Sequence, residues 1–244
     1  MSREFEIRRE TILEATPQQA WDAINTGAGL ASWLFPAGEG APSGEGDVWA
    51  GHRVLAWDPP RHSHVRMDGE DGFYNSLENT IEDRGDGTLL LRYVHSGVIV
   101  DDWDTQYDGA AQHTDFYQHS LAEYLRHFAG RHAVYVGAEG PAASSEPGAF
   151  GQVRRALGIG EGAAVGDSVH LEIPGLAAID GVVDYLTPHF VGIRSDDALY
   201  RFYGREAFGG QPAFAGHHLF ADGVDGAAQE QAWSAWLKDV FTGR

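Results

Sequence analysis

Apolar and polar residues alternate along the start of the chain, a pattern that is typical of a β-strand. The segment FEIRRETILEA at residues 5–15 therefore predicts a first strand. Thr16–Pro17 follows as an N-cap and a first helical residue, so we expect a short helix next. Glycines within 27–29 are expected to end this helix, and residues 30–35 to form a second short helical piece.

Short alternating runs continue from residue 38 to about residue 99, separated by Gly, Pro and Asp. They predict antiparallel strands, and Asp86–Gly87 predicts a hairpin turn between two of them. Because side chains alternate along a strand, Leu91, Tyr93 and His95 share one face. We expect that face to point inward.

The polar segment at residues 100–114 predicts a loop. Behind it Tyr117, Leu121, Tyr124 and Phe128 recur at helical spacing, which predicts a long amphipathic helix. The resulting order of elements predicts an α+β fold in which a curved antiparallel sheet wraps around a long C-terminal helix. Such an arrangement often leaves a gap between the sheet and the helix, and this gap is a natural ligand pocket.

The second half of the chain repeats this order of elements. The stretch VLAWDPPRHSHV at residues 54–65 returns as GVVDYLTPHFVGI at residues 181–193, and the chain closes on a helix at 228–241. The sequence therefore predicts a duplication, with domains at residues 1–130 and 131–244. The matched positions, at a constant offset, are Val54, Trp57, Pro60 and Val65 with Val182, Tyr185, Pro188 and Ile193.

Composition narrows the classes of function. The chain has 244 residues, 43% of them hydrophobic, and a net charge of −19, which disfavours binding to nucleic acid. It has no cysteine, so disulfides, thiolate metal sites and a cysteine nucleophile are excluded. The charged N-terminus and the lack of a long apolar run predict a cytoplasmic protein without a membrane segment. We find no cofactor-binding motif and expect no cofactor.

Four pieces of the first half carry a resemblance to a known family. These pieces are FEIRRETILEATPQQAWDAI, VLAWDPPRH, GDGTLLLRYVHSG and HTDFYQHSLAEYLRHF. In order and spacing they resemble the SRPBCC (START/Bet v 1-like) superfamily, in particular its branch related to the activator of Hsp90 ATPase. The second half resembles a shorter, divergent copy.

The resemblance implies a helix-grip fold with a largely apolar cavity between the sheet and the long helix. Members include carriers of lipids and small molecules, aromatic polyketide cyclases and co-chaperone domains, and the branch has no fixed catalytic signature. The fold that the resemblance implies therefore does not decide the activity.

Two histidine pairs invite a metal interpretation. His62 and His64 alternate along a strand, but if Val65 points into the core these two side chains point to solvent. His217 and His218 are adjacent in a strand and therefore point to opposite faces, which makes a poor chelate. We expect no metal site.

The candidate ligand-binding residues are mainly aromatic side chains that would converge on the cavity, joined by a few polar groups. We expect Trp103, in the acidic segment DDWD, to lie over the mouth of the pocket in a loop that acts as a lid. The full set is Trp33, Phe35, Trp49, Phe73, Tyr93, His95, Trp103, Phe116, Tyr117 and Ser120.

His95 allows two interpretations. It is either a buried histidine with a hydrogen-bond partner, or a general acid or base that faces the cavity, with Tyr93 as the second catalytic candidate. We expect a non-enzymatic protein that binds an apolar or aromatic small molecule. The alternatives are a cyclase-like enzyme that uses the same cavity and a module that interacts with a chaperone; neither the ligand nor the oligomeric state follows from the sequence.

Overall fold

The computed structural model describes residues 2–243, which form two compact units. The first unit ends at His132 and the second begins at Ala133. Each unit contains one six-stranded antiparallel sheet and ends in a helix. Whether these units are also independent domains with a boundary at residues 130 and 131 stays a prediction.

The first unit begins with a strand, continues with two short helices and five further strands, and ends with a long helix. Its elements are β1 (Arg3–Leu13), α1 (Pro17–Asn25), α2 (Gly27–Leu30), β2 (Val48–Trp49), β3 (His52–Asp58), β4 (His62–Asp68), β5 (Tyr74–Asp83), β6 (Leu89–Ile99) and α3 (Trp103–His127). The strand order across the sheet is β1-β6-β5-β4-β3-β2.

The second unit has the same strand order, and most of its elements are shorter. Its elements are β7 (Val134–Glu139), α4 (Phe150–Ala156), β8 (Ser168–Leu171), β9 (Ile179–Leu186), β10 (Phe190–Arg194), β11 (Ala198–Tyr203), β12 (Phe214–Leu219) and α5 (Gly226–Thr242). Its strand order, β7-β12-β11-β10-β9-β8, is that of the first unit with each strand number raised by six. The α+β helix-grip architecture and its duplication are thus confirmed.

Local sequence signals place the first helix as predicted. The Thr16 hydroxyl accepts a hydrogen bond from the Gln19 backbone, the Gln19 side chain accepts one from the Thr16 backbone, and Pro17 occupies the first turn. The first helix does break near the predicted place, since it ends at Asn25 and Thr26 is extended, but residues 27–29 belong to α2. The second helical piece predicted at residues 30–35 therefore lies earlier, and residues 31–35 are not α-helical. A Cβ on Gly29 would lie 2.0 Å from the Asp22 carbonyl oxygen, so glycine here permits close packing of the two helices.

The predicted loop at residues 100–114 is wrong from Trp103 onward, where α3 begins. Its polar residues bond locally, since the Gln112 amide donates to Asp108 at 2.8 Å. Tyr107 contacts Phe5 of β1 with 6.5 Å between ring centroids. The polar composition therefore marks the exposed face of a helix that is held by contacts to the sheet. Because this segment is helical from Trp103 onward, it does not form the loop that was predicted to act as a lid.

Within residues 2–243, no helix has the length and apolar character needed to cross a membrane.

Candidate functional site

A cavity of about 270 Å³ lies between the inner face of the first sheet and α3. Apolar side chains around α1 and α2 close one side, and inward-facing residues of β3 to β6 close another. The middle of α3 completes the lining with Thr114, Tyr117, Gln118 and Leu121. The lining set contains no Asp, Glu, Lys or Arg, so the cavity is suited to an uncharged guest.

Strand alternation brings the inner residues together as predicted. Leu91 is fully buried, and Tyr93, two residues later on β6, lines the cavity. Tyr93 shares a hydrogen bond with Thr114 of α3, and burial raises the pKa of its phenol well above the ordinary value. At neutral pH the group is therefore a protonated phenol.

The structure brings half of the sequence-predicted site residues to this cavity. Phe35 lies at its edge, 47% exposed, and contacts Tyr117 with 6.3 Å between ring centroids. Trp33 is held in place by a hydrogen bond from its indole Nε1 to the Ala23 carbonyl oxygen, at 2.9 Å. The predicted residues that line the cavity are Trp33, Phe35, Trp49, Tyr93 and Tyr117.

Phe116 and Ser120 are buried but lie outside the lining set. They are spaced four residues apart on α3, as Tyr117 and Leu121 are, but are offset by one residue. One residue corresponds to about 100° around a helix, so the two pairs occupy different faces. Ser120 directs its hydroxyl to the Phe116 carbonyl oxygen at 2.9 Å.

Trp103 and Phe73 also lie outside the lining set. Trp103 is in the first turn of α3, where it stacks on Tyr107 with 4.7 Å between ring centroids. The Arg3 guanidinium lies 3.8 Å from the centre of the Trp103 ring. Phe73 precedes β5 and packs close to Gly69.

His95 is on the inner face of β6 but beyond the cavity. Its Nε2 lies 2.6 Å from Asn75 Oδ1, and its ring meets Phe5 edge-on at 4.9 Å. Burial lowers the pKa of His95 to about 4. The ring is therefore neutral at physiological pH and donates to Asn75, which matches the buried, hydrogen-bonded interpretation of this histidine.

Several polar lining residues were missed by the sequence reasoning. Asn25, at the end of α1, and Gln118, in α3, are 4% and 8% exposed. Asn25 Nδ2, His52 Nε2 and Gln118 Oε1 have no hydrogen-bond partner among the described residues. The sequence did contain a signal for Gln118. It lies four residues after Thr114 and three before Leu121, so it is a polar residue on the helix face that packs against the sheet.

The other histidine candidates are not in the cavity. His62 and His64 are half-buried on the outer face of the sheet. His62 Nε2 lies 2.8 Å from Glu78 Oε1, and His64 Nε2 lies 2.7 Å from Ser76 Oγ. Burial lowers the pKa of His64. Across residues 2–243, no group of three His, Asp or Glu side chains is placed to hold a metal ion.

In the second unit, large aromatic side chains occupy the space between the sheet and α5. Trp233 is fully buried, with its ring centre 4.3 Å from that of His217 and 5.7 Å from that of Phe202. A groove of about 650 Å³ lies beside this core, and exposed residues such as Asp180 and Asp196 form part of its wall. It is larger but more open and more polar than the cavity of the first unit, which is therefore the better candidate site.

No family profile and no curated protein matches this sequence. Among solved structures, the chain is similar to protein MLL2253 from Mesorhizobium loti, with 18% identity and a TM-score of 0.42 over 51% of this chain and 98% of that one. It is similar to the Aha1 dimer from Colwellia psychrerythraea, with 18% identity and a TM-score of 0.41 over 50% of this chain and 96% of that one.

A third similar structure is the di-domain ARO/CYC BexL from the BE-7585A biosynthetic pathway. It has 12% identity and a TM-score of 0.42, and the match covers 98% of this chain and 99% of that one. These likenesses concern the fold and assign no activity to the chain.

Proposed function

We propose that the first unit binds an apolar or aromatic small molecule in the cavity between its sheet and α3, without chemical turnover. The observation that carries this proposal is the lining itself. Apolar and aromatic residues form most of it, a few buried amide and hydroxyl groups are interspersed, and no ionised residue takes part. This combination is typical of small-molecule sites.

The size of the cavity limits the guest. A volume of about 270 Å³ lies just below the usual range of ligand pockets, which is about 300 to 1,000 Å³. A ligand of two or three fused or linked rings would fit, and one with a long acyl chain would extend past the exposed ring of Phe35. Aromatic walls such as Trp33 and Trp49 favour a planar guest.

The proposal can be tested with N-phenyl-1-naphthylamine, an uncharged probe whose fluorescence rises in apolar surroundings. We expect saturable binding by the full chain and its loss in Leu77→Trp, because the new indole fills the cavity from β5. Glu78→Trp is the matched control, since Glu78 lies next along the strand and faces the opposite side, where it pairs with His62. Equal binding by both variants would place the probe elsewhere and refute this site.

The enzymatic alternative has less support from the geometry. His95 is outside the cavity with a pKa lowered to about 4, and the pKa of Tyr93 is raised by burial. Neither group is poised to remove a proton from a cavity ligand near neutral pH. The expected cytoplasmic location and the absence of a cofactor stay predictions.

A further inference from the structure

His52 stands out among the lining residues because a strained turn fixes the orientation of its ring. It is the first residue of β3, and Ala50 and Gly51 form the tight connection from β2. Both turn residues have positive φ, 51° for Ala50 and 79° for Gly51. A left-handed conformation is unfavourable for alanine, so the surrounding structure must impose it.

The turn sets which nitrogen of His52 carries the proton. The Ala50 carbonyl oxygen lies 2.9 Å from His52 Nδ1. A carbonyl only accepts hydrogen bonds, so in the neutral ring Nδ1 holds the hydrogen and Nε2 is a bare acceptor. Nε2 is buried and has no donor among residues 2–243. Burying an acceptor without a donor lowers the stability of the fold unless a bound ligand donates the missing hydrogen bond.

Two amides among the lining residues extend this polar character. Asn25 and Gln118 each bury an atom that has no partner in the described part of the chain. An amide offers both a donor and an acceptor, so the pair can bind a carbonyl or a hydroxyl. With no charged residue in the lining, an ionised ligand would lack compensation for its lost hydration.

We propose that the cavity is selective for an uncharged aromatic molecule bearing a hydroxyl group, and that this hydroxyl donates a hydrogen bond to His52 Nε2. The inference rests on the proposed binding function and specifies the class of ligand. His52 acts as an anchor for the ligand, and the aromatic walls hold its rings. An aromatic compound of the same size without a donor would leave Nε2 unpaired and bind more weakly.

The test compares 2-naphthol with 2-methoxynaphthalene, which keeps the rings and the oxygen but cannot donate. Each competes with N-phenyl-1-naphthylamine for the full chain. We expect a preference of about fivefold for 2-naphthol, the worth of one neutral hydrogen bond. His52→Phe should abolish the preference and keep the affinity for 2-methoxynaphthalene. His64→Phe, on the outer face of the sheet, should keep the preference.

A second measurement needs no variant. The ¹⁵N resonance of His52 Nε2 in the wild-type chain should have the shift of an unprotonated nitrogen. It should move upfield with 2-naphthol and stay in place with 2-methoxynaphthalene.

Equal affinities of the two compounds for the wild-type chain, or a preference that survives His52→Phe, would overturn the role of His52 and leave the proposed function standing. If neither compound displaces the probe while the probe binds, the ligand class is wrong. If the probe itself does not bind, the proposed function fails, and the inference fails with it.

Discussion

In the first unit, α3 lines the cavity with Thr114, Tyr117, Gln118 and Leu121, whereas in the second unit α5 buries Trp233 and Trp236 in the core. The strand order is the same in both. The first unit keeps a cavity of about 270 Å³ beside its helix, whereas the two indoles of the second unit pack against each other with 5.5 Å between ring centroids. The helix-grip architecture therefore permits a cavity but does not require one. The side chains that the helix and the sheet turn toward each other decide between the two outcomes.

This difference also suggests that the two units contribute differently to stability and to ligand binding. The core of the second unit is tightly packed, with Phe202, His217 and Trp233 in mutual ring contact and all fully buried. Close packing of buried side chains raises the free energy of unfolding, whereas an empty cavity lowers it. We interpret the second unit as the one specialised for stability and the first as the one that keeps space for a guest.

The largest effect is expected from a substitution that creates a cavity in the core of the second unit. Trp233→Ala removes an indole that is fully buried, and we expect the free energy of unfolding to fall by about 3 to 5 kcal/mol. Urea unfolding of the full chain followed by circular dichroism would measure it. Lys238→Ala, at an exposed position of the same helix, should change stability by less than about 0.5 kcal/mol. A small effect of Trp233→Ala would mean that this core is loosely packed.

A second comparison concerns one histidine of each unit, His95 and His217, whose pKa is lowered by burial. Burial lowers the pKa of His95 to about 4 and that of His217 well below its ordinary value. Between about pH 6.5 and the lower native pKa, the unfolded chain binds the proton and the native chain does not. Each histidine therefore makes the protein less stable as the pH falls below about 6.5.

We expect His95→Phe to reduce the loss of stability between pH 7 and pH 5 by up to about 2 kcal/mol, since one pKa unit corresponds to about 1.4 kcal/mol. His217→Phe should act in the same direction. Urea unfolding at both pH values measures the effect. His132→Phe, at an exposed position, serves as the control. An unaltered pH dependence in His95→Phe would show that folding does not lower the pKa of this ring.

The smallest effect on stability is expected from a substitution at a buried amide that lines the cavity of the first unit. Gln118→Leu replaces a buried amide that lacks a partner for Oε1 within residues 2–243, so we expect stability to rise by about 1 kcal/mol. Gln231→Leu, exposed on α5, should give no comparable gain. Thermal unfolding of both variants would compare them. A loss of stability in Gln118→Leu would indicate that the amide is satisfied in the folded chain.

Local patterns predicted most elements of the fold. The capping signal at Thr16 and Pro17 and the hairpin turn at Asp86 were visible because a few neighbouring residues determine them. The start of α3 was missed because the segment after Val100 is polar and its contacts to β1, such as that between Tyr107 and Phe5, cannot be read from the sequence. Gly29 was misread because close packing against α1 cannot be read from spacing.

The candidate site was only partly predictable. Strand alternation correctly turned Tyr93 inward, but it could not show that His95, on the same face, would lie beyond the cavity with Asn75 as its partner. Phe116 was chosen for its aromatic ring, although helical phase places it on another face than Tyr117. His52 carried no signal, since its position depends on the turn at Ala50.

By itself, the sequence determined the class of fold, the hairpins and the duplication, because periodicity and turn residues act over a few neighbouring positions. Only the tertiary structure decided that the first unit contains the cavity and that Asn25, His52 and Gln118 contribute its polar groups. A cavity is the small difference between the volume that the backbone encloses and the volume that the side chains fill. That difference depends on every facing residue at once, so no local pattern in the chain can reveal it.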